Sequence, residues 1–596
     1  MRRHEDTIGG DGAAAPWKEQ QLASHRWPEA QEGAPAFPPS TMRRLVYSAA
    51  NVALVVFIMT VPPMVVLYGA RSSSPAVWIS SANVGRGSSG DESILLLHRP
   101  AAAHDKLLGG LLADGFDEGS CHSKYQSAMY RRNNAGKEPS PHLVSRLRRH
   151  EELQRRCGPG TAAYSNAVES LRTGKSGGIV SPPETECRYL VSISYRGLGN
   201  RMLAAASAFL YAMLTDRVLL VDPSNEMGEL FCEPFPGTTW LLPPAGFPLT
   251  NYTSFSIDTA ESYGNMLKNK VITTDDAAGD VPTPHQHLPA FAYIHLDHDY
   301  TFHDKFFFCD DDQSVLRNVP WLVMRTDSYI VPGLFLVTGF QAELDSLFPE
   351  TDAVFHHLAR YLFHPNNHIW GLVTRYYDAY LATARQRVGV QVRVFGARQE
   401  SPKVLEQITA CTHMENLLPD VTTTGEPTVV AAPATTRRRL KPKAVLVTSL
   451  TSWYYEKLKG MYWEHATATG EAVSVHQPSH EEYQRFGSGS HDAKACAEIY
   501  LLSLTDALVT SGWSTFGYVA QGLAGLTPRV MYKPANESSA VPDPPCRRDV
   551  SMEPCFLTPP YNNCRMKRSA HSGKVVAHVQ NCHDVPWGLK LVHRVE

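Results

Sequence analysis

Eleven cysteines are spread through the 596 residues, yet no two of them form a CxxC pair. That absence removes the ligand spacing of most structural zinc sites. A surplus of one charge is missing too. Lys and Arg total 56 against 59 Asp and Glu, a formal net charge of −3, which argues against a nucleic-acid partner. The glycine turn at Gly197 and Gly199 lacks a third glycine, and Met202 stands where a dinucleotide fold would place it. A nicotinamide-dependent dehydrogenase is therefore disfavoured. Charge is absent from Leu45 to Tyr68, LVYSAANVALVVFIMTVPPMVVLY. As a helix that run spans roughly 30 Å of hydrocarbon, and membrane helices tolerate prolines such as Pro62 and Pro63. Arg43 and Arg44 precede it, which predicts a cytoplasmic N-terminus. No clear small-x-small cleavage site follows, so an uncleaved signal anchor is expected in preference to a signal peptide.

What is present fits a protein held in a lumen behind that anchor. Residues 1–41 are rich in Ala, Pro, Gly and charge and read as a disordered tail. Residues 71–105 are Ser/Gly-rich and read as a stem. Cys546, Cys555, Cys564 and Cys582 crowd the C-terminal end at spacings of nine, nine and eighteen. Disulfides formed in an oxidising compartment explain the crowding, and these four alone allow three pairings. The odd total leaves a free thiol, for which Cys496, in a predicted helix, is the candidate. Two sequons, Asn251-Tyr-Thr253 and Asn536-Glu-Ser538, fit a secretory-pathway protein.

The folded part begins near Leu107, and residues 143–157 have the charge of a surface helix. The most organised stretch runs from Tyr189 to Asp222. Tyr189–Ser194 alternates like a strand, GLGNR makes a turn, the Ala-rich run 204–208 gives a slim helix face, and Val218–Val221 is a buried strand. Asn200 and Arg201 fall at the helix N-terminus, where N–H groups and the dipole favour an anion. The turn is either a ligand cradle or only a tight turn. Tyr293–Asp299 and Trp321–Met324 read as further strands. Asp327 follows the second, as a cleft-facing carboxylate or a capping residue. Asp310, Asp311 and Asp312 are read as an acidic turn, not a metal site, because consecutive side chains diverge. Residues 351–384 are helical in period, with aromatics expected in the core.

A second series follows. Val388–Phe395 is apolar except for Gln391 and Arg393, and a charge inside so apolar a strand is costly unless paired or facing a ligand. A functional Arg393 is preferred over a buried ion pair. Ala444–Thr448, Glu471–His476 and Ala507–Thr510 read as strands, with helices over 491–503 and 516–524. Thr448 and Ser449 end one strand. The run Trp513-Ser514-Thr515-Phe516 links another to a helix and makes an anion cradle. Residues 419–441 read as a low-complexity insert. Strands alternating with helices predict a mainly parallel α/β sheet.

These stretches resemble the plant fucosyltransferase family that includes the xyloglucan α-1,2-fucosyltransferases. The matching segments include GLGNRMLAAASAFLYAMLTDRVLLVD, CEPFPGTTWLLP, HDKFFFCDDDQ, VGVQVRVF, MYWEH, LLSLTDALVTSGWSTFGYVAQGLAG, SMEPCF and WGLKLV, in family order from about Cys187 to the C-terminus. The resemblance implies an α/β fold of two facing Rossmann-like domains (GT-B type). An acceptor-side domain over 107–384 would face a GDP-fucose-binding domain over 385–535, with a Cys-rich segment, 536–596, closing the cleft. It implies transfer with inversion from GDP-fucose, a co-substrate, to a galactosylated cell-wall glycan, without a metal or other cofactor, in a type II Golgi membrane protein. Arg393 matches the arginine that faces the donor diphosphate. Ser514, Thr515 and Phe516 match the nucleotide cradle, beside Trp513 and with Thr448 and Ser449 on the adjacent strand. Asp327 and Asp584 match acceptor-side aspartates, Asp327 being the preferred contact. Asn200 and Arg201 would close on donor or acceptor from the opposite lip. Related families carry a His at the position of Gln391, so a catalytic role there is weakened. An inactive glycan-binding or scaffolding relative is the competing reading. The sequence carries no sign of oligomer state, and a homodimer is compatible with it.

Overall fold

The computed structural model describes residues 105, 107–131, 136–174, 187–272, 288–396, 399–422, 441–485, 487–532, 539–560, 564 and 576–594. The expected tail, signal anchor, nearly all of the stem, most of the 419–441 insert and the Asn536 sequon lie outside them. Among the described residues no helix is long and apolar enough to cross a membrane. Residues 98–596 form one compact unit.

Two sheets organise that unit. The first holds β1 (Tyr189–Ile193), β2 (Val218–Val221), β3 (Phe291–His295) and β4 (Trp321–Arg325). Their order is β2–β1–β4–β3, and every pairing is parallel. The second holds β5 (Gln386–Gln391), β6 (Lys443–Thr448), β7 (Val473–His476), β8 (Ala507–Ser511), β9 (Arg529–Met531) and β10 (Arg547–Arg548). Its order is β10–β9–β8–β5–β6–β7, parallel except for β10 at the edge. Central strands such as YLVSI and KAVLVT are buried along their length, as parallel strands covered on both faces must be.

The helices used below are α1 (Pro141–Cys157), α2 (Leu198–Leu214), α3 (Asp310–Leu316), α4 (Val354–Leu362), α5 (Asn367–Tyr376), α6 (Gly489–Ser503) and α7 (Thr515–Ala524). The expected surface helix is α1, but it buries a stripe of Leu143, Leu147, His150, Gln154 and Cys157. Every residue of α2 except Asn200 is buried. Its small side chains let it pack closely, and the limiting contact is with another helix. A Cβ on Gly199 would lie 2.7 Å from the carbonyl carbon of Thr515, at the start of α7. Gly522 of α7 is likewise pressed against Phe355 of α4, where a Cβ would fall 2.3 Å from the ring. One apolar core therefore runs from Leu190 through α2, α4 and α7 to Leu446 and Leu508. The helical region 351–384 breaks after Leu362, and Asn366 caps α5 by accepting from the Ile369 N–H at 3.0 Å. Phe355, Tyr361, Phe363 and Trp370 are core, as expected.

Three expectations change. The strand expected over 388–395 stops at Gln391, so Arg393 lies two residues beyond it and not inside an apolar strand. The acidic run is the first turn of α3, where carboxylates suit the helix dipole. Its side chains diverge: Asp310 accepts from the Thr338 and Gly339 N–H groups, and Asp312 from the Tyr263 hydroxyl. The four C-terminal cysteines do not pair among themselves except as Cys555–Cys582. Cys546 bonds Cys411 and Cys564 bonds Cys309, because each faces a different neighbouring element. Cys121–Cys232 and Cys157–Cys187 complete the set, and the free thiol is the buried Cys496.

Candidate functional site

The C-terminal ends of both sheets meet at the GLGNR loop between β1 and α2. Asn200 is its pivot. Its Nδ2 donates to the Asp327 carbonyl at 2.7 Å, and its Oδ1 accepts from the Thr515 hydroxyl at 2.9 Å. One side chain thus ties the end of the first sheet to the start of α7. Gly197 sits against Gln484, where a Cβ would fall 2.7 Å from Nε2. The Gln484 Oε1 in turn accepts from Arg393 at 3.2 Å.

Arg393 is half-buried, with its backbone N–H donating to the Ser511 hydroxyl at 3.0 Å and its guanidinium over the Phe395 ring. No carboxylate pairs with it among the described residues. Burial pulls its pKa below the ordinary arginine value. A partly desolvated guanidinium without a counter-charge suits an incoming anion.

Beside it, α7 offers its N-terminus. Ser514 caps the helix, its hydroxyl accepting from the Gly517 N–H at 3.4 Å. Trp513 takes a left-handed backbone, φ 65°, a costly state for a bulky residue. Asp584 holds it there. The Asp584 Oδ2 accepts from the Trp513 N–H at 2.9 Å and from the Tyr518 hydroxyl, and the Trp513 indole donates to the Asp584 carbonyl. Asp584 thus braces the Trp513 turn through Oδ2, while its Oδ1 is buried and has no partner among the described residues. Thr448 ends β6 with a buried hydroxyl that has no partner among the described residues. Ser449 follows, its carbonyl accepting from Gln477 at 3.0 Å. Gln391 is turned inward and accepts from Thr510 at 2.8 Å, a structural task.

Arg201 does not project across an open cleft. Its guanidinium is buried against Asp492 of α6 and, at 3.4 Å, Glu226. The Asp492 carboxyl, burial and the nearby like charge hold Glu226 up at about 7. Two carboxylates around one buried arginine form a lock between α2 and α6. Phe516 lies partly buried beside the cradle.

Asp327 anchors a second polar cluster. Its Oδ2 meets His298 Nδ1 at 2.9 Å and Arg196 Nε at 3.6 Å, and its Oδ1 accepts from the Ser328 hydroxyl at 3.2 Å. The hydrogen bond to Asp327 raises the His298 pKa above the usual value. Behind these, Arg325 binds Asp297 at 2.8 Å, and burial and the Asp327 charge push the Asp297 carboxyl up. His295 links the Tyr293 hydroxyl at 2.7 Å to Asp299 at 2.8 Å. His295, Asp297 and Asp299 lie close enough to share an ion, but each is already engaged by a protein partner. Cys555, Cys582 and Asp584 also converge, with both sulfurs spent in a disulfide. Sequence reasoning passed over His298, Arg196 and Gln484. The signal for His298 was the LDHD run just past β3, where ligands gather in parallel sheets. It was hidden by reading the strand through Asp299, whereas β3 ends at His295.

Residues 83–565 match the family described as xyloglucan fucosyltransferase. The chain is 51% identical over 513 residues to a galactoside 2-alpha-L-fucosyltransferase of Pisum sativum, covering 86% of this chain and 85% of that protein. It is 52% identical over 494 residues to the protein of the same description from Arabidopsis thaliana, covering 82% and 83%. Among solved structures it is similar to an arginine-to-lysine variant of Arabidopsis thaliana FUT1 in complex with GDP. The TM-score is 0.72 at 51% identity, over 82% of this chain and all of that one.

Proposed function

The chain belongs to the xyloglucan fucosyltransferase family, and from that we propose an inverting α-1,2-fucosyltransferase that moves L-fucose from GDP-fucose to the 2-hydroxyl of a terminal β-galactose on a cell-wall glycan. The single observation that carries the assignment of roles is the placement of Arg393, a half-buried cation without a carboxylate partner among the described residues, beside the N-terminus of α7. As GDP departs, negative charge develops on the β-phosphate. The guanidinium stabilises it by charge-assisted hydrogen bonds, and the first N–H groups of α7 add to this. Trp513, Ser514, Thr515 and Phe516 form the cradle, with Thr448 and Ser449 at the end of β6, beside the strand that leads to Arg393, and Asn200 tying the cradle to Asp327. Asp584 keeps the Trp513 turn in its strained shape. In this reading the two sheets belong to facing domains, with the acceptor on the Asp327 side and the nucleotide on the Arg393 side.

Arg393 supplies the charge that a divalent cation supplies in other nucleotide-sugar transferases, so transfer is expected without added metal. The apolar run 45–68 and five disulfides support a type II Golgi membrane protein with its catalytic part lumenal. The test is full-length protein in microsomal membranes, given GDP-fucose and a panel of galactosylated glycans with a chelator present. Fucosylated galactoside is the expected product. GDP binding with no transfer to any galactoside overturns the assignment, and transfer that the chelator abolishes overturns metal independence.

A further inference from the structure

We propose that His298 takes the proton of the acceptor hydroxyl, and that Asp327 is a positioning residue behind it; this rests on the fucosyl-transfer reading above. A carboxylate can only accept a hydrogen bond, so the 2.9 Å contact places the ring proton on His298 Nδ1. The lone pair is then on Nε2. No described residue engages that atom, and the His298 side chain is 31% exposed. Asp327 is the poorer base. Its side chain is 11% exposed, one oxygen is shared by His298 and Arg196, and the other accepts from Ser328. The atom an acceptor can reach is therefore the imidazole nitrogen.

The position suits the chemistry. Asn200 connects the Asp327 backbone directly to Thr515, so the histidine and the cradle flank one side chain. Arg196, beside Asp327, precedes Gly197, which touches the glutamine that holds Arg393. In the step, the acceptor oxygen forms a bond to the anomeric carbon of fucose. The bond from that carbon to the β-phosphate oxygen breaks, and its electron pair leaves with GDP. The hydroxyl proton passes to His298 Nε2, giving an imidazolium paired with the Asp327 carboxylate, which later releases the proton to water. This is the orienting-carboxylate arrangement, in which the acid does not itself become protonated.

The charged groups facing His298 are Asp327 from the end of β4, Arg196 from the loop after β1, and Asp299 on its own loop. The two carboxylates favour the imidazolium, whereas Arg196 and burial oppose it. The neutral base is regained as pH rises, so kcat climbs along an acidic limb.

The experiment measures kcat and KM of purified full-length protein from pH 5 to 8, with GDP-fucose and a galactosylated acceptor, for wild type, His298→Gln and Asp327→Asn. The expected result for His298→Gln is a kcat lower by about 100-fold or more, with no acidic limb and KM for GDP-fucose unchanged. Asp327→Asn is expected to keep a limb but move it to lower pH, with a smaller loss of kcat. His298→Gln within threefold of wild type overturns the proposal. So does a wild-type profile that is flat across the range, or transfer lost in Asp327→Asn and kept in His298→Gln, which makes the aspartate the base. The wild-type profile does not depend on whether either variant folds. Wild type that transfers fucose to no galactoside overturns the functional reading itself, before the variants are compared.

Discussion

Arg201 and Arg393 each stand just past the C-terminal end of a parallel sheet, at the edge of a loop that meets α7 or its neighbours. Their surroundings are opposite. Arg201 is enclosed by Asp492 and Glu226, whereas Arg393 meets a glutamine and an aromatic ring. A buried cation with two carboxylates is already satisfied and has little to give a ligand. A half-buried cation with neutral neighbours still lacks a counter-charge. The same residue type therefore locks elements together in one place and is left without a carboxylate partner among the described residues in the other.

Removing each arginine breaks the comparison most sharply. Arg201→Ala strands two carboxylates, and stability is expected to fall by about 3–5 kcal/mol, read as a lower urea midpoint. Arg393→Ala is expected to leave the unfolding midpoint nearly unchanged while fucosyl transfer falls about 10²–10³-fold, the scale of ~3–4 kcal/mol of lost charge stabilisation. Comparable destabilisation by the two variants would erase the distinction. Gly199→Ala tests the backbone contact between the two regions. The added methyl meets the Thr515 carbonyl, and a loss of about 1–3 kcal/mol in stability is expected, with weaker GDP binding by calorimetry as the cradle shifts. The smallest effect is a pH slope. Glu226 is raised from an ordinary 4.5 to about 7 in the fold. Its stabilising proton is fully in place below pH 4.5 and lost as pH rises through about 7, so the melting temperature declines across that window. Glu226→Gln keeps a hydrogen-bond donor at every pH, and the decline measured from pH 5 to 8 should flatten.

Much of the fold was legible. β1, β2 and α2 follow the alternation, the Ala-rich run and the turn that bound them, and β6 and β8 follow apolar runs of strand length. The step from strand to helix at Trp513 and Ser514 was legible as well, because hydroxyls and a glycine between a strand and a helix are local signals. Strand ends were less so. Apolar character continues through Val392 and Val394, but pairing with β6 and β8 stops at Gln391, which moves Arg393 from a strand interior to a sheet mouth. At β3 the alternation outlasts the ladder by four residues and conceals the LDHD loop, in which His298 is partly exposed. Neither end has a local marker.

The sequence by itself determined the alternating α/β pattern, the family and the residue types available to the site. These depend on periodicity, turn chemistry and motifs read over short spans. Only the tertiary structure decided which arginine is neutralised, which aspartate braces a tryptophan, and which cysteines meet. It also decided that Asn200 joins the two sheets. Each of these depends on partners tens to hundreds of residues away, and a side chain's charge has a role only once burial and its neighbours set what that charge must balance.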